Sequence, residues 1–166
     1  VEALGARGFQ VDIRDPKALV APLEGVDTVF HVAAKAGVWG DYAEYYDINV
    51  QGTMNLLNAA ENAGVKRFVY TSTPSVVSYL DDIENGAQDI PYAESYPAHY
   101  PATKAEAERM VLEANSKHIA TVSLRPHLIF GPGDPHLLPR FVEGALKGRL
   151  RIIGDGGNKV DFTYVD

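Results

Sequence analysis

The chain has no cysteine, which excludes disulfides and thiolate metal sites. It has no apolar run near the ~20 residues that cross a bilayer, and no signal-peptide pattern is visible. Basic residues are scarce: 15 Lys and Arg stand against 22 Asp and Glu, for a net charge of −7. That balance leaves no positive footprint for nucleic acid or an anionic membrane. Histidine is sparse too, and neither His99 nor His136 has a second ligand at a useful spacing, so no metal site is read. A soluble cytoplasmic protein is the expectation that remains.

What is present fits one domain. The 166 residues are 46% hydrophobic, enough to build a core. Both ends read as interior to a longer chain: Val1 to Gly8 resembles a helix tail running into a strand, and Asp166 directly follows the strand-like Phe162–Val165. Phe9–Ile13 reads as a short strand. Asp15 as N-cap and Pro16 at the first helical position predict a helix to Leu23. Thr28–Val32 is an almost continuous apolar run, the pattern of a parallel strand buried on both faces, and small residues follow at Ala33, Ala34, Ala36 and Gly37. Tyr42–Ala63 reads as one amphipathic helix through Ile48, Met54, Leu57 and Ala60, ending at Gly64. Arg67–Thr71 is a further strand. Tyr79–Pro97 is a long polar loop containing Asp81 and Asp82, read as a solvated pair. A helix spans Ala98–Ala114, a strand Ala120–Arg125, a Pro/Gly-rich loop 126–135, a helix Leu137–Leu146 and a strand Leu150–Ile153.

Strands alternating with helices predict an α/β fold, a Rossmann-like doubly wound parallel sheet. Such sheets bind ligands beyond the carboxyl ends of their strands. The informative residues are therefore Asp12-Ile13, Ala33-Ala34-Lys35, Thr71-Ser72-Thr73 and Pro126-His127-Leu128.

On the helix from Ala98, Tyr100 and Lys104 lie one turn apart on the same face. An ammonium beside a phenol favours the phenolate and lowers its pKa, which suits carbonyl–alcohol redox chemistry. The spacing alone says little. With nine Tyr and seven Lys in the chain, chance gives roughly 0.4 such pairs. Packing tyrosines beside a solvated lysine is the plain alternative.

The order of motifs decides between them. Asp12-Ile13-Arg14-Asp15, His31-Val32-Ala33-Ala34, Tyr45 to Thr53, Tyr70-Thr71-Ser72-Thr73, Tyr100 with Lys104, Arg125-Pro126 and Gly131-Pro132-Gly133 resemble the extended short-chain dehydrogenase/reductase family in order and spacing. That resemblance implies NAD or NADP as cofactor and assigns roles. Tyr100 would be the general acid or base. Lys104 would hold the nicotinamide ribose and lower the Tyr100 pKa. Thr73, usually Ser in the family, would orient the substrate oxygen, with Ser72 as fallback. Asp12 and Ile13 would meet the adenine, and Val32, Ala33 and Ala34 would line the dinucleotide. Lys35 would reach the pyrophosphate, Asn49 would lie near the cofactor, Thr71 and Ser72 would border it, and Pro126, His127 and Leu128 would contact the nicotinamide.

Plainer readings stay open beside these. Asp12 can simply end a strand, Asn49 can bond one helix to another, and His31 reads as a satisfied core histidine. The family's Gly-rich turn is absent from the chain. Residues 1–150 then read as a partial dinucleotide-binding domain and 151–166 as the start of a substrate region, and the polypeptide by itself is expected to bind NAD(P) poorly.

Within the family, Thr73-Pro74-Ser75 offers no carboxylate for dehydration. Val76-Val77-Ser78 and Tyr100-Pro101 depart from epimerase patterns. These features, with the run His31 to Gly40 and Arg125 to Ile129, resemble the 3β-hydroxysteroid and sterol-carboxylate dehydrogenase branch, including 2-alkyl-3-oxoalkanoate reductases. The implied reaction interconverts a secondary alcohol and a ketone on a lipid-like or sterol-like substrate. A nucleotide-sugar epimerase and a non-catalytic nucleotide-binding scaffold are the alternatives, and the resemblance also implies a homodimer.

Overall fold

The computed structural model describes residues 5–37, 39–77, 83, 86–135, 137–152 and 154–165. The chain divides into two units, one up to Arg125 and one from Pro126 onward.

The first unit is built on three strands, β1 (Thr28–His31), β2 (Arg67–Thr71) and β3 (Ala120–Leu124). They are all parallel, in the order β1-β2-β3. Between β1 and β2 runs a single helical stretch: α1 (Tyr42–Tyr46), a π-helical segment (Asp47–Gln51) and α2 (Gly52–Asn62). Between β2 and β3 lies α3 (His99–Glu113), flanked by Ala98 as N-cap and Ala114 as C-cap. The expected Rossmann-like α/β architecture is the one found.

Register explains where the core sits. Val29 pairs with Phe68, and His31 with Tyr70; their side chains point to one face, since side chains alternate along a strand. There they join Leu57, Ala60, Ala107, Val111 and Ile119 in one buried cluster with Leu19 and Leu23. The other face carries Phe30 and Val122, opposite each other across Val69. Phe30 is 71% exposed and Val32 66%. The expectation that Thr28–Val32 is buried on both faces is thus corrected: among the described residues the helices cover one face only.

Other differences have local causes. Phe9–Ile13 is not a strand, because it finds no ladder partner among the described residues. The helix expected from Pro16 is a series of turns ending in a 3-10 turn at Ala21–Leu23. Pro22 removes an N–H and biases Ala21 away from the α region, so a helix cannot propagate there. Met54, expected on the apolar stripe, is exposed. Gly64 takes φ +75 one residue past the C-cap of α2, the position that favours glycine.

The second unit pairs β4 (Ile129–Phe130) in parallel with β5 (Thr163–Tyr164) and carries α4 (Leu137–Leu146). The loop expected over 126–135 thus hides a short strand, and the strand expected at 150–153 is irregular over its described residues. Asp81, Asp82, His136 and the first residues of the expected helix tail lie outside the described residues.

Candidate active site

Helix α3 brings the central groups to the carboxyl end of β2. Pro101 is tolerated because it sits in the first turn, where N–H groups have no helical partner anyway. The buried face of α3 alternates small residues, Ala105 and Ala107, with two charged ones, Lys104 and Glu108. The alanines let the helix approach the sheet, and the charges are thereby carried inside.

Lys104 is 2% exposed. Its Nζ donates to the Thr71 carbonyl at 2.5 Å and sits 4.0 Å above the centre of the Tyr70 ring. Burial lowers its pKa to about 8, with the Glu108 charge acting the other way. Tyr100 is moved in the opposite sense to the one expected: burial alone pushes its phenol above the ordinary value. The ammonium rests against Thr71 and Tyr70, and no lowering effect from it on the phenol opposes burial.

Beyond β2, the Ser72 N–H donates to Leu124 O at 2.6 Å, while its buried hydroxyl faces the Glu108 carboxylate and helps hold it ionised. Thr73 caps a 3-10 turn over Pro74–Val76, accepting from the Ser75 N–H at 3.4 Å. Its hydroxyl in turn donates to Ser75 Oγ at 3.4 Å, so both halves of the group are engaged with Ser75.

Asn49 lies in the π-helical segment and is buried. Its Oδ1 accepts from the Lys35 N–H at 2.7 Å, and its Nδ2 donates to Lys35 O at 3.1 Å and to Thr103 Oγ1 at 3.0 Å. One side chain therefore clasps the loop after β1 to α3, so the helix-bonding reading of Asn49 describes what it does here. Lys35 itself pairs with Glu44 at 3.0 Å, which turns its ammonium toward α1. Val32, Ala33 and Ala34 leave the end of β1 exposed.

Asp12 holds Arg14, Nη2 to Oδ2 at 2.5 Å, and the hydrogen bond from Arg14 lowers its pKa to about 2. Ile13 packs on α2 where Gly52 stands; a Cβ there would come within 2.6 Å of the Ile13 Cδ1. His31 is enclosed, its Nε2 2.8 Å from Thr53 Oγ1. Thr53 donates to Asn49 O at 2.6 Å, so the neutral imidazole carries its proton on Nε2.

Pro126, His127 and Leu128 belong to the second unit. There His127 exchanges hydrogen bonds with Thr163, N–H to Oγ1 at 3.2 Å and O from N–H at 3.0 Å. Leu128 stands at φ +44, a left-handed conformation that costs a side-chain-bearing residue about 1 kcal/mol. A groove of about 600 Å3 lies along α4 against Gly131 and Leu138 and includes none of the candidate residues. Among the described residues no group of His, Asp and Glu could hold a metal ion, and no helix is long and apolar enough to cross a membrane.

Sequence reasoning passed over one cluster. Glu108, fully buried, accepts from Tyr92 Oη at 2.9 Å and from Arg125 Nη2 at 2.5 Å. Glu four residues after a Lys on a helix looks like an ordinary surface pair. Only the Arg at the end of β3 hinted otherwise.

The sequence pattern of the 3-beta hydroxysteroid dehydrogenase/isomerase family matches residues 2–166. The chain belongs to this family. It is 50% identical to the 2-alkyl-3-oxoalkanoate reductase of Stenotrophomonas maltophilia, over 100% of this chain and 51% of that protein. It is 40% identical to the human sterol-4-alpha-carboxylate 3-dehydrogenase, decarboxylating, over 96% of this chain and 44% of that protein. The chain thus spans about half the length of these curated relatives. Among solved structures, MoeE5 in complex with UDP-glucuronic acid and NAD superposes with a TM-score of 0.76 at 34% identity, covering 96% of this chain and 55% of that one.

Proposed function

We propose that this chain carries the proton-transfer groups of an NAD(P)-dependent oxidoreductase that interconverts a secondary alcohol and a ketone on a lipid-like or sterol-like substrate. The observation that carries the reading is Lys104, a buried cation at the carboxyl end of β2, one helical turn from Tyr100. Among the described residues no carboxylate closes an ion pair with it. A buried charge without a direct ion pair is costly, and a ligand bearing hydroxyls would satisfy its free donors.

The residues fit a nicotinamide dinucleotide at its ribose end. Lys104 offers donors, and Val32 to Ala34 an open strand end. When bound, the dinucleotide supplies the hydride chemistry. The chain's own part is positional and acid–base. Tyr100, held protonated by burial, gives its proton to the carbonyl oxygen in reduction and takes one from the alcohol in oxidation. Thr73, whose proton rests on Ser75 Oγ at the long distance of 3.4 Å, turns it to the same oxygen when substrate binds. Asp12, Ile13, Asn49 and Thr71 border the cofactor in this reading, and Lys35 flanks it from the loop after β1. The relatives named above support the substrate class. A cytoplasmic homodimer completes the proposal.

Replacing Tyr100 with Phe in the full-length protein is expected to reduce turnover by two orders of magnitude or more, roughly the scale of general acid–base catalysis, with an unchanged circular dichroism spectrum. Turnover near that of the wild type overturns the assignment. A nucleotide-sugar epimerase is the second reading, favoured by the likeness to MoeE5. Net, stoichiometric consumption of NAD(P)H with a β-keto acid or sterol ketone separates the two, because an epimerase regenerates its cofactor.

A further inference from the structure

Glu108 and Lys104 are one turn apart on the buried face of α3, which is the spacing at which carboxylate and ammonium ordinarily pair. Yet they do not pair. The Glu108 carboxylate is held by Arg125, with Nε at 3.0 Å from Oε1 and Nη2 at 2.5 Å, and by the Tyr92 hydroxyl at 2.9 Å. Lys104 turns instead to the Thr71 carbonyl and the Tyr70 ring face. The carboxylate is thus near enough to act on Lys104 through space and anchored where it cannot cover it.

We infer that Glu108, anchored by Arg125 and Tyr92, is a positioning residue: a counter-charge that keeps Lys104 cationic while leaving its N–H groups open to a hydroxyl-bearing ligand. The inference rests on the proposed role of Lys104 in cofactor binding. Without Glu108, burial would drive the amine toward its neutral form. Without Arg125, Glu108 would be free to swing onto Lys104 and close a buried pair that takes the donors away.

The other groups around the ammonium do not replace this role. From β1, His31 is neutral and its electrostatic effect on Lys104 is repulsive if it ever charges. From β2, Tyr70 is held protonated by burial. On α3 itself Tyr100 is also pushed toward its neutral form. Arg125, at the end of β3, is a like charge already neutralised by Glu108. Tyr92, raised to about 12 by burial and by its bond to Glu108, is neutral. Glu108 supplies the one negative charge among these; burial pushes its carboxyl up, but the hydrogen bonds from Arg125, Ser72 and Tyr92 together with the Arg125 charge outweigh it, so it stays ionised.

The test is a carbon-13 NMR titration of the lysine Cε resonances in the full-length protein, Lys104 being assigned by the signal lost in Lys104→Met. Glu108→Gln keeps the shape and an acceptor for Tyr92 while removing the charge. It is expected to lower the Lys104 titration by about one pH unit or more. Arg125→Gln is expected to raise it, and to raise the KM for the nicotinamide dinucleotide by more than it lowers kcat. Opposite shifts are the signature, because loss of a merely structural contact would destabilise the fold in both variants without moving the titration. Shifts in the same direction, or both below about 0.3 unit, overturn the inference. Should neither variant fold, the wild type decides: a midpoint near 8 supports a remote counter-charge, and one above the ordinary 10.5 shows a direct pair and overturns it. If the titrations shift as expected in a protein without NAD(P)-coupled activity, the counter-charge is supported and only the oxidoreductase reading falls.

Discussion

A histidine enclosed on β1 against Phe68 and Tyr70 has no room for a hydrated second proton. Burial lowers the His31 pKa from 6.5 to about 4, and the Lys104 charge adds to the effect. Between those two values the unfolded chain binds the proton and the folded chain does not, so stability rises with pH across this window and is flat above it. The full contribution is about 3 kcal/mol. Urea midpoints measured from pH 4 to 7 are expected to climb, and His31→Gln, which keeps a donor for Thr53, is expected to flatten that climb. The sequence placed His31 correctly as a core residue, because an apolar strand surrounds it. It did not reveal Glu108 or the direction of the Tyr100 shift, since both depend on how deeply α3 sinks into the sheet. Tyr100 and Lys104 were legible from spacing and motif order; that the ammonium rests on Tyr70 is a matter of tertiary packing.

Among the elements, the helix expected over Tyr42–Ala63 exists, but its middle widens into a π-helical turn at Asp47–Gln51. Periodicity read from sequence does not separate 3.6 residues per turn from one wider turn, and such bulges often accompany functional positions. Here the segment carries Asn49, whose amide serves Lys35 and Thr103 at once. Asn49→Ala would strand a buried Thr103 acceptor and loosen the Lys35 backbone. A loss of about 2 kcal/mol is expected in chemical denaturation, with faster protease cleavage in the loop after β1. The strands β1, β2 and β3 and helices α3 and α4 matched their expected bounds within a residue or two. Phe9–Ile13 did not, because strand identity is conferred by a neighbour, which local sequence cannot supply.

For the molecule as a whole, the α/β alternation announced a parallel sheet, and that sheet was found. The expected enclosure of both sheet faces was not, because apolar sequence shows that a surface wants cover and not what covers it. Phe30, Val32, Val122 and Leu124 are exposed apolar residues at the open face, with Phe30 and Val122 in register on either side of Val69. The 166-residue chain is therefore expected to bind an apolar dye such as ANS. The pair Phe30→Ser and Leu124→Ser should reduce that fluorescence while leaving the far-ultraviolet spectrum unchanged, since the buried cluster lies on the opposite side. Unchanged dye binding would place the exposed apolar surface elsewhere, for instance along α4.

An ammonium has three N–H groups. The Thr71 carbonyl takes one from Lys104, and the Tyr70 ring answers the charge without needing a directed proton. Two donors are left, side by side on one nitrogen. That is the valence of a vicinal diol, with an oxygen for each hydrogen, so a sugar ring bearing both hydroxyls completes the nitrogen and a deoxy ring leaves one hydrogen unanswered.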